Sequence, residues 1–380
     1  MPLLNDTINN DTANNTINIL HFGLFKTMGA GVKQQLKDEL TVSRELPPNI
    51  NWEIAFFSHD QPSEAFMKQP TYPISIFKKS RILKYLILRL YAYSWLLKNK
   101  RNYDTVLLRY PLGDPILPYF IKHLDNFFTI HHTNELGEID PSVSLLSKIH
   151  LWIEKHVGRF VLSRAQGVVG LTGEILEQEL LRIPKSTKAG YVSPNGIDLK
   201  HKNLPQKDIR EGPIKLVCVC SKPYPWQGID LIVEKLIKSD LQDIELHLIG
   251  DMSSKDFSGD RRIIYHGLLP QNEIPNILAL SDLGLGSFAL YRKDMLEACT
   301  LKVREYLCNG VPVYANHIDS GLPLEYPYFV NQEFDIQRAY DIAKKFRQVS
   351  RQEIRESAEK HIDKKIVTER LANWVVDQLT

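Results

Sequence analysis

The stretch Glu297–Asn316, EACTLKVREYLCNGVPVYAN, decides how the rest of the chain is read. Thr300 stands where an N-cap belongs, Leu301 to Cys308 suits a short helix, and Asn309-Gly310 supplies left-handed residues to end it. Pro312 cannot continue the helix, so Val311 and Val313 predict a buried strand. The amides from Thr300 to Lys302 then lie at a helix N-terminus, where unpaired N–H groups and the helix dipole favour a phosphate. Glu297 precedes that helix and Glu305 lies inside it. Their acceptor-only oxygens suit hydroxyl groups rather than the phosphate, one on a ribose and one on a second sugar.

A chain of 380 residues is too long for one ordinary core and suits two domains. Its 43% hydrophobic and 24% charged content is that of a soluble globular protein, and a net charge of +2 excludes a general nucleic-acid binder. Cys218, Cys220, Cys299 and Cys308 match no metal spacing and read as free thiols in a reducing cytoplasm. Residues 1–16 lack the basic start and apolar run of a signal peptide and read as a disordered leader.

Ile17 to Phe22 predicts a strand, followed by a glycine-containing loop and a helix from about Gly31, the opening of a doubly wound domain. Gly23, Gly29 and Gly31 do not form a GxGxxG dinucleotide fingerprint. Further strands are expected at Trp52 to Ser58, Thr105 to Arg109, Phe127 to Ile130, Gly167 to Leu171 and Gly190 to Val192, making a first domain of residues 17–195. A charged, Pro-containing linker occupies 196–213. The second domain, 214–364, carries strands at Ile214 to Cys220, Ile244 to Gly250, Ile263 to Leu269 and Leu283 to Phe288, and 365–380 is a last helix. Ligands of open α/β sheets collect beyond the carboxyl ends of the strands, where His131 and His132 and the loop Ser221 to Gly228 stand.

The two glutamates eight apart, followed by Tyr306-Leu307, Gly310 and Pro312-Val313, resemble the donor-site signature of retaining GT-B glycosyltransferases, broadly glycosyltransferase family 4. Pro194-Asn195-Gly196-Ile197-Asp198 resembles that family's phrase at the domain junction, and Trp226-x-Gly228-Ile229-Asp230 resembles a variant of surface-polysaccharide transferases. The likeness covers most of residues 17 to 320 and is specific in the second domain. It implies an α/β architecture of two facing Rossmann-like domains with parallel sheets, the donor in the second, the acceptor in the first, and a C-terminal helix crossing back. The implied reaction is transfer of a sugar from a nucleotide diphosphate sugar to a saccharide or lipid-linked saccharide acceptor, in capsule, O-antigen or exopolysaccharide biosynthesis. No metal or other cofactor is expected. By the same resemblance His132, Glu297 and Lys222 would be catalytic. From their place just after the two histidines, Glu135 and Glu138 are expected to orient the imidazole. Donor binding would fall to Gly29, Gly31, Ser221, Gln227, Gly267, Leu268, Thr300, Leu301, Lys302 and Glu305, with Glu305 on the ribose and Glu297 on the donor sugar. Gln227 stands where such enzymes usually carry Lys, which removes one cation from the diphosphate loop.

Lys78 to Arg101 holds eight basic residues and no acid, and its apolar part falls short of the ~20 residues of a membrane span. It suits a helix resting on the anionic inner face of a membrane, or an ordinary helix with a core face. Two rivals share these features: a nucleotide-sugar epimerase of the same fold, and a catalytically silent scaffold of a polysaccharide assembly complex. Donor hydrolysis separates the scaffold from the transferase.

Overall fold

Long apolar runs such as INILHFGL can be buried only in a sheet covered on both faces. A computed structural model of the chain describes residues 16–70, 80–184, 187–200, 202, 204, 210–252 and 259–379. The proposed leader up to residue 15, and Lys78 and Lys79, lie outside these. The first sheet has the order β3-β2-β1-β4-β5-β6-β7, and every neighbouring pair is parallel. Its strands are β1 (Ile17–Leu24), β2 (Ile50–Phe57), β3 (Met67–Lys68), β4 (Thr105–Arg109), β5 (Phe127–His131), β6 (Gly167–Gly170) and β7 (Ala189–Val192). Between them run α1 (Ala30–Ser43), α2 (Arg81–Asn99), α3 (Leu117–Ile121), α4 (Leu145–Arg164) and α5 (Gly173–Leu181).

The second sheet, order β10-β9-β8-β11-β13-β15, is also parallel. It comprises β8 (Ile214–Val219), β9 (Ile244–Ile249), β10 (Ile263–Gly267), β11 (Leu283–Leu285), β13 (Val313–Ala315) and β15 (Phe329–Asn331). β12 (Glu297–Ala298) and β14 (Ile318–Asp319) form a separate parallel pair. The helices here are α6 (Ile229–Ile237), α7 (Ile274–Leu278), α8 (Leu301–Cys308), α9 (Ile336–Phe346), α10 (Arg351–Ile362) and α11 (Lys364–Asp377). The strand expected from Leu283 to Phe288 ends at Leu285, although Gly286 N still donates to Tyr314 O at 2.8 Å and Phe288 N turns to Gln227 O at 3.1 Å. α8 has the expected bounds, but Thr300 makes no side-chain cap bond, and only Gly310 (φ +66°) is left-handed, Asn309 being at φ −89°.

The chain crosses between the sheets at two adjacent points. Ile197 N donates to Ile362 O at 2.8 Å and Lys364 N donates to Ile197 O at 2.9 Å. Asp363 caps α11 through the amides of Lys365 and Ile366. That helix then lays Leu371, Ala372 and Val375 on the core built by Ile19, Trp52, Phe56 and Phe128 of the first sheet. Trp374 meets Phe128 edge-on at 5.3 Å and stacks on Tyr191 at 5.2 Å. All four cysteines are buried free thiols. No helix among the described residues is long and apolar enough to cross a membrane.

Candidate active site

The carboxyl ends of both sheets open onto one cleft of about 550 Å³. Its first wall carries His21, Gly31, Gln35, Glu39, Trp52, Arg109, His132 and Thr133; Tyr224, Trp226 and Leu301 face them, and α11 contributes Lys364. A Cβ on Gly31 would come 3.4 Å from Leu301 Cδ1, so the first turns of α1 and α8 meet across the cleft. Helix N-termini aimed at one space make it attractive to an anion.

Buried charge at the floor is organised around Glu39. His21 Nδ1 lies 2.6 Å from Glu39 Oε1, Trp52 Nε1 donates to the same oxygen at 2.9 Å, and Lys364 Nζ is 3.4 Å from Oε2. Burial alone would raise this carboxyl, but His21, Lys364 and Trp52 outweigh it and hold it down to about 2. Burial lowers the Arg109 guanidinium to about 10, which leaves it charged at neutral pH. Burial, with Arg109, His21 and Lys364 nearby, pushes His132 well below the usual imidazole range. A neutral imidazole therefore faces the cleft, its Nε2 shielded from solvent and without a hydrogen-bond partner. It can hold a hydroxyl without carrying charge.

Three of the residues singled out in the sequence, Gly31, His132 and Leu301, line this cleft. Gly29 caps α1 with open space where a Cβ would be. Thr300 Oγ1 is shielded and unpartnered at the start of α8, and Lys302 Nζ donates to Gly286 O at 3.0 Å. Gly267 is left-handed (φ +69°) at the end of β10, with Leu268 exposed beside it. Ser221 and Lys222 are exposed, Lys222 Nζ lying 5.6 Å from the Tyr224 ring.

Other side chains point elsewhere. Gln227 turns inward: its Oε1 accepts from Cys220 Sγ at 2.6 Å and from Tyr224 N at 3.1 Å, bracing the loop rather than facing the cleft. Both oxygens of Glu305 accept from Lys202 Nζ at 3.1 Å. Glu297 Oε2 accepts from Glu174 N at 3.1 Å, at the N-terminus of α5, while Glu297 N donates to the Glu174 carboxylate at 3.0 Å. Gly173 permits this, since a Cβ there would sit 3.3 Å from the Glu297 oxygens. Glu135 lies 3.1 Å from His131, not His132, and Glu138 pairs with Lys293 at 2.7 Å.

The Pro194–Asp198 phrase has a mechanical reason. Asn195 Nδ2 donates to Cys299 O at 2.6 Å and Arg304 Nε to Asn195 O at 2.8 Å, while the fully buried Arg304 is held by Asp319 at 2.6 and 2.7 Å. The junction is thereby pinned to the first turn of α8. Sequence reasoning gave no site role to Glu39, Arg109, Tyr224, Trp226 or Lys364. Glu39 sits in the polar run KQQLKDEL, which looks like a solvated helix face, yet His21, Trp52 and Lys364 of α11 close over it.

Behind the cleft wall, His131, Glu135 and Glu179 bring one ligand-type atom each within 4.8 Å, the one such grouping among the described residues. Arg182 already bonds Glu179 (2.6 Å) and Glu154 (2.5 Å). Burial raises Glu135 to about 8 and Glu179 to about 7, and lowers His131 to about 4. At neutral pH the cluster therefore holds a carboxyl proton beside a neutral imidazole.

Two facing parallel sheets, a cleft between them and a last helix crossing back make this a protein of the GT-B fold. Solved structures share it over almost the whole chain. HepE from Anabaena in complex with UDP is 13% identical, with 95% of this chain and all of that chain covered and a TM-score of 0.67. The apo lipopolysaccharide outer core galactosyltransferase WaaB is 15% identical, with 96% and 100% covered and a TM-score of 0.60. A glycosyltransferase from Rickettsia africae is 15% identical, with 96% and 99% covered and a TM-score of 0.59. No protein-family model matches the sequence, and no curated protein matches it.

Proposed function

We propose that this protein is a retaining glycosyltransferase that moves a hexose from a nucleotide diphosphate sugar to a lipid-linked saccharide in surface-polysaccharide biosynthesis, at the cytoplasmic face of a membrane. The observation that carries this reading is the cleft, where two helix N-termini and the cations Arg109 and Lys364 face one space beside a neutral His132. Departure of a diphosphate needs positive field on the leaving group, and fixed amides and buried cations supply it without reorganising. His132 Nε2 would hold a hydroxyl of the transferred sugar, and the rings of exposed Tyr224 and half-buried Trp226 would offer a stacking platform. HepE structures holding UDP, and UDP-glucose, support a uracil nucleotide as the first donor to test.

The test is a melting series with nucleoside diphosphates, followed by hydrolysis of the matching hexose donor. A ligand at a hundred times its Kd raises stability by about 2.7 kcal/mol. UDP should shift the melting temperature upward, and UDP-hexose should be slowly hydrolysed without acceptor. His132→Ala should lower kcat roughly tenfold to a hundredfold, the loss of one strong hydrogen bond, while His131→Ala acts mainly on stability. No shift with any nucleoside diphosphate would overturn the reading.

A further inference from the structure

α4 is an ordered helix whose first half projects beyond the core. Ser144 caps it through Ser147 N at 3.1 Å, and Val157, Val161 and Leu162 anchor its second half inside. Before that anchor, Val143 (74%), Leu145 (74%), Leu146 (76%), Ile149 (46%) and Trp152 (62%) are exposed. Leu145, Ile149 and Trp152 follow the i, i+4, i+7 spacing of one helix face. Exposed Lys148, Lys155 and Arg159 share that face, while the helix's one acid, Glu154, is fully buried against Tyr110, Gly113 N and Arg182. On α3, Tyr119 is exposed as well (64%), with Lys122 Nζ 4.4 Å from its ring.

From this charge and apolar pattern we infer that the exposed face of α4 from Leu145 to Arg159 is the surface by which the protein docks on an anionic lipid bilayer. Apolar and aromatic side chains enter the headgroup boundary while Lys148, Lys155 and Arg159 extend to lipid phosphates. The segment that leaves the cleft at Thr133 leads into α4 at Ser144, so the docking face and the His132 wall belong to consecutive parts of the first domain. This deepens, and rests on, the reading of a lipid-linked acceptor. The basic segment containing α2 is less suited. Leu88, Ala92, Tyr93 and Leu96 are core, Arg89 is tied to Asp114 at 2.8 Å, and Lys100 lies 3.4 Å from Asp125.

The experiment is flotation of the full chain with phosphatidylcholine vesicles, with and without phosphatidylglycerol. The wild type should float with the anionic vesicles only, less so as salt rises from about 50 mM to about 500 mM. Leu145→Ser/Ile149→Ser/Trp152→Ser should lower the partition coefficient at least about tenfold. Lys148→Gln/Lys155→Gln/Arg159→Gln should do the same at low salt. Vesicles should shift the tryptophan emission of the wild type to the blue, and not that of Trp152→Phe. Both triple variants should keep the wild-type melting shift with UDP. Undiminished flotation of the apolar variant overturns the inference, as does its loss in Arg81→Gln/Lys84→Gln instead. So does a wild-type dimer that the apolar variant dissolves while flotation persists, which would make the face a contact between copies. Flotation without any nucleotide shift would leave the docking surface standing and remove the transferase reading.

Discussion

At Gln227 one side chain separates what a loop looks like from what it does. Its position suggests a missing cation, yet its carbonyl oxygen is the brace that holds Cys220 and the Tyr224 amide. Gln227→Lys would put an ammonium where an acceptor is needed, so the variant should be less stable by about 2 kcal/mol, read as a lower melting temperature. Unchanged melting together with tighter UDP binding would show that the side chain swings into the cleft. Glu135 gives a pH dependence. Burial holds it at about 8 against an ordinary 4.5, so the native state keeps a proton that the unfolded chain sheds in between. Its contribution to stability is therefore highest at or below pH 4.5 and falls as pH rises to about 8. Glu135→Gln removes that fall, and its melting temperature relative to wild type should climb between pH 5 and pH ~8.5. A constant difference across that range would place the proton elsewhere.

Among the elements, α5 and the segment before α8 grip one another through Glu174 and Glu297, each carboxylate accepting backbone amides from the other side. Glu174→Ala removes half of that grip without touching the donor side. Both Glu174→Ala and Glu297→Ala should lose about 1 kcal/mol of stability, and only Glu297→Ala should lower kcat further if its carboxylate also reaches the transferred sugar. Equal kinetics in the two variants would confine Glu297 to the seam. Glu305, already engaged by Lys202, gives the complementary case: on the proposed reading that it holds the donor's ribose, Glu305→Ala should weaken UDP binding with little change in kcat, since such a contact would be made both before and during transfer.

Over the whole molecule, the adjacent crossings at Ile197 and Asp363–Lys364 leave α11 as a surrogate face of the first sheet's core. Leu371→Ala should cost about 2–4 kcal/mol and lower the melting temperature, because it opens a cavity against Trp52 and its neighbours. A near-neutral Leu371→Ala would mean that α11 rests loosely on that sheet.

The parallel sheets, the bounds of α8 and the loop before α6 were legible in the sequence because each depends on local periodicity, Pro and Gly placement, and apolar runs that cannot be left in water. His132, Gly31 and Leu301 were legible as cleft residues for the same reason, since the ends of parallel strands and the starts of the following helices share one edge. Side-chain direction was decided only in three dimensions. The inward turn of Gln227 needs Cys220, the seam role of Glu297 needs α5, and the burial of Glu39 needs a helix more than 300 residues later in the chain. Charge placement in a cleft built by distant segments depends on which partners arrive to desolvate and pair each group, and no local pattern records those arrivals.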